Sequence, residues 1–472
     1  MARIRPLVFG TIVAASALVT PGAGLAAAPG ENGRIAFVRD SAIWSVASDG
    51  SDEQQLTAPT GDDHDFGPAW SPGGTMIAYT HSPGGFATDV WVMNADGSDQ
   101  HRRIGSSRGD FSPAWSPDAE WVAFTSDRNA SERTVTGEFF VDIWAHRDHP
   151  TGVVRVTHEE PHRRHAHGAA WAPDNASIAM TSFGESGPNG IGIEEAGSVP
   201  GRVAIVAEHD GGGYGSDWSP EGTQIVYHVV NGCCDGDIWV VTPGSAPEPL
   251  ITGPTADLDP AWSPDGTQLV FSRDGVLHTA NPDGSGIASL GVTGGEPAWQ
   301  PIPDEPFVDA RFSPFEEHIV WARQSGLTSG CAPERFCPRR LLTRGEAASF
   351  ISHALDLPPA TDDHFTDDTG SVHEDEINRL FEAGISAGCG GGKFCPKDIA
   401  SREMMAAWID RALDPPDTTE DPFTDDENSP FEPEINRLAA AGIVSGCSED
   451  RFCPGRDVTR GQAVAMLHRA LD

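Results

Sequence analysis

One short packet recurs six times between residues 68 and 301 and decides what the chain can fold into. It reads PAWSPGG at 68–74, PAWSPDA at 113–119, AAWAPDN at 169–175, SDWSPEG at 216–222, PAWSPDG at 260–266 and, shortened, PAWQP at 297–301. Its tryptophans stand at 70, 115, 171, 218, 262 and 299, spaced 45, 56, 47, 44 and 37 residues apart. Each of the first five packets leads into a short β-branched or aromatic run: IAYT (77–80), VAFT (122–125), IAMT (178–181), IVYH (225–228) and LVFS (269–272). A second run follows in most units, such as DVWVM (89–93), DIWA (142–145) and DIWVV (237–241). Short strands joined by Gly, Asp and Pro turns predict one four-stranded antiparallel sheet per unit.

A lone sheet of that size cannot bury both faces, so the units must stack radially into a β-propeller. The opening segment has IAFV (35–38) and AIWSV (42–46) but no packet before them, whereas the last packet has no strands after it. The terminal strand is therefore expected to complete the first blade, which gives six blades over residues 31–303. The tryptophans, 13 against 3 tyrosines in the whole chain, are expected between adjacent blades.

After Pro303 the pattern turns helical, with a period of 58. Phe307, Phe365 and Phe423 open three units, each with an Asp two residues on, and CAPERFCP (331–338), CGGGKFCP (389–396) and CSEDRFCP (447–454) share one offset. Thr343 with Glu346, and Thr459 with Gln462, have the spacing of a capping box and predict a helix start. Gly384 is placed to end the preceding helix in a left-handed cap. The expected fold class is thus mainly β, a six-bladed propeller followed by a smaller all-α three-repeat domain, with repeats at 304–358, 359–416 and 417–472.

The packets and the strands after them resemble the repeats of the TolB-type propeller family. The three helical units resemble a triplet of S-layer homology (SLH) modules. The second resemblance implies a pseudo-threefold unit that grips cell-wall polysaccharide, in which the arginine of a Thr-Arg-Ala-Glu motif reaches an acidic or pyruvylated sugar. That arginine maps to Arg344, Arg402 and Arg460, although the motif reads TRGE, SREM and TRGQ here and the cysteine pairs are additional to the commoner pattern.

The N-terminus sets the compartment. Arg3 and Arg5 precede an apolar run from Leu7 to Val19 and small residues through Ala28. This is the order of a secretory signal peptide, expected over residues 1–28, and no later segment is long and apolar enough to cross a membrane. In an oxidising compartment the pairs Cys331 and Cys337, Cys389 and Cys395, and Cys447 and Cys453 are expected to form local disulfides. A metal site is the rival reading for two thiols per loop, but it lacks a partnering histidine. Cys233 and Cys234 are adjacent, and a vicinal disulfide, free thiols and an intermolecular bridge all remain open for them.

Asp and Glu number 70 against 31 Lys and Arg, a formal charge of −39. That field repels phosphate backbones and anionic lipid, which excludes nucleic acid as a partner. Only Lys393 and Lys397 among the basic residues are lysines. Catalytic strings do not hold up: Gly105-x-Ser107-x-Gly109 and Gly384-x-Ser386-x-Gly388 lack the strand-then-helix setting of a nucleophile elbow. The remaining chemistry is at THEEPHRRHAHG (157–168). His162, His165 and His167 cluster there, and Asp65, Asp110 and Asp257 occupy corresponding loops, each five residues before a tryptophan. Together they are candidates for a divalent cation (calcium, zinc or manganese) at the channel mouth. The sequence thus points to a secreted, non-enzymatic protein of the bacterial cell surface. Its SLH triplet would bind cell-wall polysaccharide while its propeller holds an extracellular protein, peptide or glycan. A wall-attached hydrolase or lyase using the His/Asp cluster is the alternative.

Overall fold

A computed structural model describes residues 30–84, 88–128, 141–148, 151–157, 164–184, 189–195, 204–209, 212–231, 235–303, 307–311 and 313–471. The signal-peptide segment, His162, Cys233 and Cys234 lie outside the described residues, and so does the side chain of His165.

Six four-stranded antiparallel sheets form the propeller. Its closure is the expected one. The last strand, Gly295–Pro303, pairs with the first, Gly30–Arg39, and supplies the inner edge of blade 1. Blades 2 to 6 follow in chain order with inner strands Asp63–Trp70, Asp110–Trp115, Arg164–Trp171, Gly213–Trp218 and Asp257–Trp262. The packet tryptophans seal the seams between blades. Trp70 packs with Ala36 and Ile43 of blade 1 and donates its indole N–H to Ala298 O. Trp115 packs with Ala78 and Val90 of blade 2, and Trp299 with Val270 and Leu277 of blade 6. Apolar burial at every seam is the main force that keeps the ring shut.

Each inner strand carries one bulge. In blade 2, Phe66 faces Thr80 and Ala69 faces Ala78, so Gly67 and Pro68 share the space opposite Tyr79. The same register shift recurs in blades 3 to 6. The residue three before the tryptophan is left-handed in all six blades: Gly67, Ser112, Gly168, Gly215, Asp259 and Glu296, with φ between 50° and 65°. A bulge of this kind re-aims the side chains that precede it.

The C-terminal region is a closed ring of six helices: α1 (Glu316–Gln324), α2 (Arg344–Ala354), α3 (Glu374–Glu382), α4 (Arg402–Leu413), α5 (Glu432–Ala440) and α6 (Arg460–Leu471). The second helix of each unit packs on the first helix of the next, as α2 on α3, α4 on α5, and α6 back on α1. At the centre a backbone triangle ties the units together. Ala400 N donates to Leu342 O, Val458 N to Ala400 O, and Leu342 N to Val458 O, at 2.9 to 3.0 Å. The expected caps are present. Thr343 and Glu346 form a complete capping box, Thr459 and Gln462 exchange the same pair of bonds, and Gly384 sits at φ 75°.

The first unit's loop grips the propeller. Glu334, buried between Cys331 and Cys337, accepts hydrogen bonds from Ser71 Oγ (2.7 Å), Gly73 N (3.0 Å), Thr75 N (2.7 Å) and Thr75 Oγ1, all on one turn of blade 2. Val308, fully buried, joins the apolar cluster of Trp115 and Trp144. Four donors on one carboxylate leave it no need of a cationic partner.

Candidate functional site

The inner strands enclose a channel of about 750 Å³. Because of the bulge, the wall is formed by the residues four and three places before each tryptophan. At the first position blades 2 to 5 present Phe66, Phe111, His167 and Tyr214. At the second, those blades have only Gly67, Ser112, Gly168 and Gly215, whereas blades 6 and 1 carry Asp259 and Glu296. The wall therefore divides into an aromatic arc and a contiguous acidic arc. Asp217 adds a third carboxyl at a position that is Ala in the other five blades. No lysine or arginine lines the channel among the described residues.

Confinement in the channel perturbs these groups. Burial pushes the Asp217 carboxyl up to about 6, against hydrogen bonds from Trp262 N (2.8 Å) and Trp218 N. Burial also raises Asp259, and raises Glu296 with a further push from Asp259. Glu296 opens onto the channel and accepts from Gly67 N at 2.7 Å. Desolvation pulls His228 down to about 4, so the ring is neutral at physiological pH. Its Nδ1 accepts the backbone N–H of Asp259 (3.1 Å), which places its proton on Nε2. Tyr214 stacks on His228 at 5.6 Å between ring centres, and His167 stacks on Phe183 at 5.6 Å.

The aspartates read from the sequence as channel ligands lie elsewhere. Asp65 meets His81 Nδ1 at 2.7 Å, Asp110 meets Arg128 at 2.8 Å and Ser126 Oγ at 2.5 Å, and Asp257 holds Arg273 through two bonds of 2.7 and 2.9 Å. All three carboxylates are buried within their own blades and none lines the channel. His167, the one of the three histidines whose side chain is described, reaches the wall. Among the described residues, no three metal-ligating groups come together in the propeller. The convergent His/Asp metal cluster is therefore corrected to three separate intra-blade pairs.

In the helical ring the disulfides 331–337, 389–395 and 447–453 are formed. Asp367 lies beside one pair, but those sulfurs are bonded to each other, which removes the metal reading. An aspartate from each unit's opening motif holds its loop: Asp309 accepts from Phe336 N and Cys337 N, Asp367 from Phe394 N and Cys395 N, and Asp425 from Phe452 N and Cys453 N, at 2.7 to 3.0 Å.

The motif arginines are braces in this arrangement. Each Nε donates to a phenylalanine carbonyl of the next unit: Arg344 to Phe394 O, Arg402 to Phe452 O, and Arg460 back to Phe336 O, at 2.9 to 3.0 Å. Arg402 and Arg460 are only 5% and 3% exposed. Burial lowers Arg460 to about 10, partly offset by Glu346, and it stays charged at neutral pH. The open surface beside them is a groove of about 490 Å³ between units 1 and 2, lined by Arg340, Thr343, Glu346, Asp367, His373 and Lys397 among others. Arg340 and Lys397 are its exposed cations. Lys397 is one of only two lysines in the chain.

Known proteins are similar to parts of this chain. Residues 422–464 match the S-layer homology domain. The chain is 30% identical over 158 residues to an S-layer protein of Bacillus thuringiensis subsp. finitimus, covering 32% of this chain and 19% of that one. It is 32% identical over 97 residues to an endoglucanase of Bacillus sp. (strain KSM-635), covering 20% of this chain and 10% of that one. The chain thus spans a fifth or less of the length of these relatives. Among solved structures, TolB from Acinetobacter baumannii is similar with a TM-score of 0.46 at 20% identity, over 57% of this chain and 67% of that one. Kuenenia stuttgartiensis hydrazine synthase gives 0.47 at 13%, over 59% and 47%. The chain is a six-bladed β-propeller protein that carries an S-layer homology region after its propeller.

Proposed function

We propose that this is a cell-wall-anchored surface protein whose helical ring binds wall polysaccharide and whose propeller holds an extracellular ligand in its channel. The S-layer homology match over 422–464, continued by two further units of the same build, carries the anchor half, since domains of this kind generally bind cell-wall polysaccharide. The groove between units 1 and 2 supports it, with Arg340 and Lys397 placed to meet acidic sugar groups and Thr343 and His373 to hydrogen-bond hydroxyls. Co-sedimentation of the full chain with isolated wall sacculi is the test. Arg340→Ala with Lys397→Ala should reduce binding about tenfold, and binding undiminished in that variant would refute the groove.

A second reading, a wall-attached hydrolase or lyase acting in the channel, draws on Asp217, whose carboxyl at about 6 suits proton transfer near neutrality. Conversion of a bound glycan or peptide that is lost in Asp217→Asn would favour it over simple binding.

A further inference from the structure

The channel's two arcs define a ligand more narrowly than a general binding surface does. Asp259 and Glu296 occupy left-handed backbone positions, where the equivalent residue is Gly in three of the other four blades. A side chain there is strained. Burial raises both carboxyls, Glu296 with a further push from Asp259. Neither has a cationic partner in the wall among the described residues: His228 is neutral, and its Nδ1 is already an acceptor. Phe111 on blade 3 stands across the ring, and Phe66 and Tyr214 on the adjoining blades flank the acidic arc.

We propose that the channel binds a ligand bearing an alkylammonium group, with the cation held by Asp259 and Glu296 and the apolar body lying against the aromatic arc. An ammonium has three N–H donors, which these acceptors can satisfy together, and rings attract cations through their faces. A cavity of about 750 Å³ accommodates a molecule of many atoms. A hard metal ion is disfavoured, because no three ligating groups converge there among the described residues. Anionic ligands are disfavoured by a wall that offers them no cation.

The inference rests on the reading of the propeller as the ligand-holding half, and is independent of the anchor. It is tested by calorimetric titration of the full chain at pH 7.5 and 150 mM salt with pentylamine, with a Gly-Lys-Gly peptide blocked at both ends, and with 1-pentanol as the uncharged control. A chain of net charge −39 gathers amines over its whole surface, so the decisive comparison is Asp259→Asn/Glu296→Gln, which removes 2 of 70 acidic residues.

Saturable binding of either amine that weakens at least about tenfold in that variant supports the proposal. Pentylamine binding more tightly indicates a free amine as the natural ligand, and the peptide binding more tightly indicates a lysine side chain. Absence of saturable binding, equal binding of 1-pentanol, or unchanged affinity in the double variant would overturn the proposal. Sacculus binding by the same variant should match the parent, so a failed channel leaves the anchor standing and a failed anchor leaves the channel standing.

Discussion

Replacing Asp217 by Asn is predicted to stabilise the protein, and to do so only where the parent carboxyl is ionised. An aspartate ordinarily titrates near 3.8, and in the channel wall Asp217 titrates at about 6 because burial disfavours its charge. Between those values the folded state holds a proton that the unfolded state has released. Stability therefore falls as pH rises through that window, and the full penalty is present above it. Each pH unit is worth about 1.4 kcal/mol, so the ionised group costs the fold roughly 3 kcal/mol. Asn keeps an oxygen for the N–H of Trp262 (2.8 Å), while its own amide N–H groups lose about 1 kcal/mol for want of an acceptor. The net gain at pH 7.5 is then about 2 kcal/mol. Urea melts followed by tryptophan fluorescence are the assay, since eleven of the thirteen tryptophans belong to the propeller. The advantage of the variant should grow by roughly 2 kcal/mol from pH 4.5 to 7.5. A variant less stable than the parent at pH 7.5, or a difference that is flat with pH, would refute the reasoning.

Further expectations follow from the packing. Glu334→Ala should cost about 2–4 kcal/mol by leaving the Ser71, Gly73 and Thr75 donors of blade 2 unpaired, and should split one calorimetric transition into separate propeller and ring transitions; a single unchanged transition would contradict the clasp. Arg460→Ala should lower the melting point of the ring far more than Arg340→Ala, because only the first removes a buried brace; equal effects would count against that distinction. Cys389→Ser with Cys395→Ser opens one short loop and should cost roughly 2 kcal/mol in a chemical melt. A propeller ending before Gly295 leaves blade 1 without its inner strand and should aggregate through the open edge, whereas a monomer of unchanged stability would disprove the closure.

The six-blade closure was legible because its signal is repeated: six packets, six strand runs and one unpaired strand at each end admit a single ring. The channel was not. Reading Asp65, Asp110 and Asp257 into it assumed regular alternation along the inner strand, but the left-handed residue three before each tryptophan breaks that period and turns the fifth-before side chain into the blade. Asp259 and Glu296 could have been found by aligning the six packets at that position, where glycine is the common choice. The arginines of the helical units were legible as a motif, but not their burial. That follows from the ring's closure, which brings Phe336 within reach of Arg460 across 124 residues. The role of Glu334 depends on a contact 259 to 263 residues away, and its counterparts Gly392 and Asp450 give no hint of it.

The central claim, a wall-held propeller, is tested most directly by co-sedimenting the full chain with sacculi before and after chemical removal of their attached polysaccharide. The account predicts binding to intact sacculi that disappears once the polysaccharide is stripped and returns in competition form when the released polysaccharide is added as an inhibitor. Equal binding to stripped and intact sacculi, or none to either, would contradict it.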